Sequence, residues 1–242
     1  MDIRFAQFSE YLSQMCGRFN SISSGGDFAR AYLADFLGSE LGENFNVAPT
    51  SLVYVLRTDD AKRVVEPMSW GLVPSWSKDK TRMASMINAR SETLAEKPSF
   101  RNLITKHRCV LPIQGFYEWK NLPTETKKPH KQAFYISRAD AQVMTLAGLW
   151  TSWKQPDSSV LRTCTIITTE ANSALHEIHH RMPVVLEKAA VDEWLSDSTV
   201  APLDLLVAAE NSVLMSEPTR RLERRPKHVS AQLGDDASGR LF

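Results

Sequence analysis

Six short segments rich in β-branched and aromatic residues follow one another through the middle of the chain, at 52–57, 63–68, 108–113, 132–137, 143–149 and 163–168. Such residues suit a pleated, half-buried surface. The segments come in runs and do not alternate with helices, which argues against a doubly wound parallel sheet. Helical spacing of apolar residues is confined to the flanks. It appears at 27–37 (Phe28, Ala31, Tyr32, Phe36), at 173–180, at 187–195 and at 202–209, and weakly at 1–14 (Phe5, Phe8, Leu12). The pattern predicts an α+β fold: a single domain with a mixed, mainly antiparallel β core, sandwich or open-barrel-like, and peripheral helices. No repeat or linker divides the chain, and the polar end from Gly234 predicts a loose tail.

Composition narrows the setting. Of the 242 residues, 43% are hydrophobic and 24% charged, which is ordinary for a packed globular chain and too apolar for a disordered one. Three scattered cysteines, Cys16, Cys109 and Cys164, make no disulfide framework and fit a reducing compartment. Cys109 and Cys164 read as small core residues in strands. There is no apolar stretch of membrane-spanning length and no secretion signal, so the expectation is a soluble, cytoplasmic protein without a membrane partner. The formal charge is +1, from 29 Lys and Arg against 28 Asp and Glu, which by itself leans against a nucleic-acid partner. The distribution is uneven. Between Gly71 and Arg108 stand eight basic residues (Lys78, Lys80, Arg82, Arg90, Lys97, Arg101, Lys106, Arg108) and three acids, with Trp76 and Phe100 among them. Cations with interleaved rings suit a single-stranded nucleic-acid groove. They equally suit a solvated loop.

Four motifs carry possible chemistry. In Met15-Cys16-Gly17-Arg18-Phe19, Met15 reads either as an internal residue or as a true start that is later trimmed. Trimming would leave Cys16 first. An α-amine has a pKa of roughly 7.7–8.0 against about 10.4 for lysine, so roughly 10–15% is neutral and nucleophilic at pH 7. The cysteine thiol beside it would trap a Schiff base as a five-membered thiazolidine, so the target would be an aldehyde. Glu118, among the aromatics of Gly115–Trp119, suits proton transfer if its surroundings are apolar, and is otherwise a strand-end acid facing water. His176 and His179 could share a helix face, but no further ligand motif accompanies them and a zinc site needs three or four. An acid/base role for His179 is the better reading, and no metal or cofactor is expected. Asn88 and Arg90 lie two apart, hence on one face of a strand, with a turn or cap as the alternative for Asn88.

Together and in this order the motifs resemble the SRAP (SOS response-associated peptidase) family, also described as abasic-site-processing proteins. The resemblance runs through Met15–Phe19, Asn46-Val47-Ala48-Pro49, Trp70-Gly71-Leu72-Val73-Pro74, Ile87–Thr93, Gly115–Trp119 and His179–Val184. It implies a mixed, mainly β core with peripheral helices. It also implies a protein of the DNA-damage response that binds single-stranded DNA containing abasic sites and joins it covalently. By motif position, Cys16 would be the nucleophile, Asn88 would hydrogen-bond around the linkage, Glu118 would transfer protons, and His179 would assist ring opening. Arg18, Arg90 and Arg181 would hold phosphates, Trp76 would contact the bases, and Pro49 and Thr168 would line the channel. The resemblance further implies peptidase activity, as self-processing of residues ahead of the cysteine, and possible lyase activity.

Two departures qualify the match. Residues 1–14 precede Met15, and while they persist Cys16 has an amide nitrogen in place of an amine. We therefore divide the chain into an extension at 1–14 (a mis-assigned start or a removed leader), a domain at 15–230 and a flexible tail at 231–242, and expect a monomer. From about Pro202 the match to the family's usual ending is poor. Two other functions compete: a thiol peptidase using Cys16, His179 and Asn88, and a non-covalent single-stranded DNA binder that uses only the basic groove.

Overall fold

The computed structural model describes residues 17–123, 130–198 and 200–220. Cys16, the weak 1–14 helix and the 231–242 tail lie outside the described residues. All six segments read as strands are strands, and each is longer than its apolar core. They are β3 (Leu52–Asp59), β4 (Lys62–Trp70), β6 (Arg108–Leu122), β7 (His130–Arg138), β8 (Met144–Lys154) and β9 (Val160–Glu170). Five shorter strands join them: β1 (Arg18–Ser21), β2 (Asp35–Phe36), β5 (Asn88–Arg90), β10 (Arg181–Pro183) and β11 (Leu214–Thr219).

Five of the strands close on themselves in the order β9–β4–β3–β6–β8–β9. All contacts in the ring are antiparallel except a short parallel seam, Ser69↔Thr163 and Trp70↔Cys164, which completes the barrel. Side chains alternate across each strand. Val53, Val55, Met68, Trp70, Cys109, Leu111, Leu146, Cys164 and Ile166 belong to one buried cluster that fills the barrel. Their neighbours Tyr54, Leu56, Val110, Leu149 and Ile167 point outward into a second cluster. That outer layer is capped by Phe28 of helix α1 (Gly25–Ala31), Trp194 of helix α3 (Lys188–Trp194), and Leu94 and Phe100 of the turns between β5 and β6. Cys109 and Cys164 are fully buried core residues, and burial pushes both thiols up from their ordinary range.

The helices are shorter than the periodicity predicts. The 27–37 pattern gives only α1, which ends at Tyr32. Leu33 then takes a positive φ of 52°, and Asp35–Phe36 peel off to pair with β4. Helix α2 (Ser173–His176) stops after one turn, so His176 and His179 do not share a helix face. The 202–209 pattern yields a single 3-10 turn, Leu203–Leu205, because only Leu206 finds a buried place while Leu203 and Val207 stay exposed. No helix among the described residues is long and apolar enough to cross a membrane.

One basic residue of the 71–108 stretch is withdrawn from any groove. Arg108 is only 5% exposed, and its guanidinium donates to the carbonyl oxygens of Trp194, Ile104, Thr105, Ser196 and Ser198. Lys78, Lys80, Arg82, Arg90, Lys97, Arg101 and Lys106 remain exposed.

Candidate active site

One half of the site is built where β1 meets β6. The pairing is antiparallel, with Arg18 opposite Tyr117 and Phe19 opposite Phe116. The chain entering β1 therefore arrives at the Glu118 end of β6. Phe116 is a core residue inside the barrel, so Glu118, two further on, continues the same face at the barrel mouth, and it is 5% exposed. Its segment is thus the middle of a fifteen-residue strand, not a strand end facing water. The Asn46–Pro49 loop is bound to this edge. Val47 bridges Phe19, Arg18 Nη1 donates to Asn46 Oδ1 (3.4 Å), and the Tyr117 hydroxyl donates to the Phe45 carbonyl (3.0 Å). Pro49 is half-buried behind that loop.

The other half is built on β9. β5 runs parallel to it, with Asn88 opposite Ile166 and Arg90 opposite Thr168, and β10 runs antiparallel, with Arg181 opposite Glu170 and Pro183 opposite Thr168. Paired residues share a sheet face, so Asn88, Arg90, Thr168 and Arg181 lie on one side. Thr168 is buried and donates to the Ala89 carbonyl (3.4 Å). Arg90 is exposed. Arg181 grips Glu92 through a two-pronged ion pair, Nη1 to Oε1 at 2.6 Å and Nη2 to Oε2 at 2.9 Å, and Nη2 also donates to the Thr168 carbonyl at 2.8 Å. Its Nε is buried. Of five guanidinium N–H groups three are engaged, the buried Nε–H has no hydrogen-bond partner among the described residues, and one on Nη1 is left over. The Arg181 donors hold the Glu92 carboxyl below its ordinary range.

His179 sits where the chain turns out of α2 into β10. Its Nδ1 accepts the Arg181 backbone N–H (3.1 Å), with the Arg181 carbonyl at 3.3 Å. In the neutral ring this places the proton on Nε2. Burial lowers its pKa from the ordinary histidine value, and the stacked His180 ring (4.4 Å between centroids) adds to the effect. The imidazole is therefore neutral at pH 7 and able to take a proton.

Core packing joins the two halves. The Phe19 ring packs on Trp70 at 4.8 Å, and Trp70 Nε1 donates to the carbonyl of Ile87, the residue before Asn88 (3.0 Å). Lys120, on the same face as Glu118, pairs with Glu177 beyond α2 (3.4 Å), and the charge of Lys131 on β7 is felt at His179. Trp76 stands apart from these contacts, 67% exposed on the 71–82 loop. That loop is nevertheless fixed. Gly71 has a φ of 133°, and a Cβ there would lie 2.4 Å from the Met83 carbonyl oxygen. Val73 N–H donates to Thr163 Oγ1 (3.0 Å), and Trp153 Nε1 donates to the Ser77 carbonyl (2.7 Å). Trp76 is thus an exposed ring on a rigid mount. The sequence did not point to Asn46 as the partner of Arg18, nor to Glu92 as the partner of Arg181. Both stand inside motifs, but nothing in a linear sequence pairs residues 28 or 89 positions apart.

The chain is similar to known proteins along most of its length. It is 40% identical over 224 residues to the abasic site processing protein YoqW of Bacillus subtilis, which spans 90% of this chain and 98% of that one. It is 36% identical over 226 residues to the abasic site processing protein YoaM of the same organism, covering 91% and 98%. A solved structure of a protein from Bacteroides thetaiotaomicron superposes with a TM-score of 0.76 at 28% identity, covering 85% of this chain and 92% of that one. Residues 15–226 match the SOS response associated peptidase family, so the chain belongs to the SRAP family.

Proposed function

We propose that this protein captures abasic sites in single-stranded DNA through a covalent linkage to Cys16, shielding them from strand breakage. The observation that carries the reading is the β1–β6 register. Arg18 lies opposite Tyr117, so the chain leading into β1 is directed at the buried Glu118, and Cys16 is separated from Arg18 by Gly17 alone. The family match begins at residue 15, beside the cysteine. The names of the relatives point to the same lesion.

The working chain in this reading starts at Cys16, after loss of residues 1–15 by translation start or by self-processing. The ring-opened abasic sugar presents an aldehyde. The free amine of Cys16 adds to its carbonyl carbon, and loss of water gives a Schiff base. The thiol then adds across the C=N bond, its proton passes to nitrogen, and the thiazolidine closes. Glu118 carries protons in the dehydration step and in its reversal. His179, neutral with Nε2–H, assists ring opening, and Asn88 hydrogen-bonds beside the linkage. Arg18 and Arg90 supply cations for phosphates, Arg181 adds its one remaining donor, and Thr168 and Pro49 line the channel. The exposed Trp76 ring offers a stacking surface.

An abasic oligonucleotide and one carrying a tetrahydrofuran at the same position separate this reading from simple binding. The abasic strand is expected to give a heat-stable adduct. The tetrahydrofuran strand, which lacks the aldehyde, is expected to give only salt-sensitive binding. Equal retention of both after heating in salt would refute covalent capture, and peptide cleavage in trans without DNA would favour a thiol peptidase.

A further inference from the structure

We propose that Glu92 is a positioning residue for His179 and acts through Arg181. The inference rests on the acid/base role given to His179 above, but its geometry does not. Arg181 is the first residue of the three-residue strand β10, at the edge of the sheet. One residue there does two things. Its backbone N–H sits on His179 Nδ1 at 3.1 Å, and its side chain reaches back across β9 to fasten on Glu92 and on the Thr168 carbonyl. A strand this short has little pairing to hold its first residue, so the side-chain anchor fixes the N–H that selects the histidine tautomer.

The anchor is also electrostatic. The charges felt at His179 include two cations, Arg181 itself and Lys131 from β7, and the stacked His180 ring lies against it. Lys120 from β6 is already matched by Glu177. Each cation disfavours the imidazolium. Glu92 offsets the charge of Arg181, so it opposes this lowering at His179. Arg181 is 13% exposed at the side chain and Glu92 48%, so the pair is partly shielded from solvent and the effect is moderate.

The test is the titration of His179 followed by ¹⁵N-edited NMR on the protein without DNA, in wild type, Glu92→Gln and Glu92→Asp. Wild type is expected to show one neutral tautomer, with the proton on Nε2. Glu92→Gln is expected to show a tautomer mixture and a midpoint lower by about half a unit. Glu92→Asp, which keeps the charge, is expected to recover most of both. A thermal melt confirms that each variant is folded. The acid limb of adduct formation with abasic single-stranded DNA should move to lower pH by the same amount. An unchanged tautomer and midpoint in folded Glu92→Gln would overturn the inference. A shifted midpoint with no adduct from wild type would instead overturn the proposed function and leave the role of Glu92 toward His179 standing.

Discussion

Replacing Cys16 with alanine is expected to reduce the heat-stable adduct with abasic single-stranded DNA to background, while binding of intact single-stranded DNA persists. The reason is chemical. Alanine keeps the α-amine and can still form a Schiff base, but a Schiff base hydrolyses, and without the thiol nothing traps it. Cys16→Ser is therefore informative. It too should lose the heat-stable product, yet both variants should yield one after borohydride reduction, because reduction converts the imine to a stable amine. The measurement is denaturing electrophoresis with and without reductant. An alanine variant that forms heat-stable adduct as well as wild type, without reductant, would remove Cys16 from the mechanism.

Arg108→Met is expected to destabilise the fold by about 3–5 kcal/mol, far more than removal of any exposed cation in the same basic stretch. The guanidinium has five N–H groups, and five carbonyl oxygens receive them: Trp194, Ile104, Thr105, Ser196 and Ser198. Three of those carbonyls lie at and beyond the end of α3 and two in the turn leading into β6. One side chain thus ties the outer helix layer to the barrel, and methionine fills the space while leaving the oxygens unmatched. Lysine offers three donors from a point charge and should recover only part of the loss. For a chain of this length each kcal/mol moves the melting temperature roughly 2–4 °C, so a fall of roughly 10 °C is expected in calorimetry. Adduct formation well below the new melting point should survive, since Arg108 lies outside the site.

These two residues show what the sequence could and could not reveal. The reading of Cys16 needs only its neighbours in the chain, since the chemistry proposed for it depends on nothing further away. Arg108 was counted with the basic stretch because a linear count does not distinguish a buried guanidinium from a solvated one. The strands were legible for a local reason, the density of β-branched and aromatic residues at 52–57, 108–113 or 163–168. Barrel closure was not, because it hangs on the Ser69↔Thr163 and Trp70↔Cys164 pairs, and so short a parallel seam leaves no pattern in either segment. Helix lengths were overread where a local backbone choice ended the helix early, at Leu33 and after His176. Within the candidate site, motif order points to Asn88, Glu118, His179 and Arg181; the fold sets Asn88 on β5 and Arg181 on β10, on either side of β9, Glu118 on β6, and His179 in the turn before β10. The Glu92–Arg181 grip was invisible because it joins two motifs across β9.

The central claim is that Cys16 must carry a free α-amine. It is tested most directly by preparing two proteins, one whose measured intact mass begins at Cys16 and one that retains Met1–Met15 because processing is blocked. Both are then challenged with abasic single-stranded DNA. The expected result is a heat-stable adduct from the first and none from the second. Equal adduct from a protein whose mass still includes Met1 would contradict the claim.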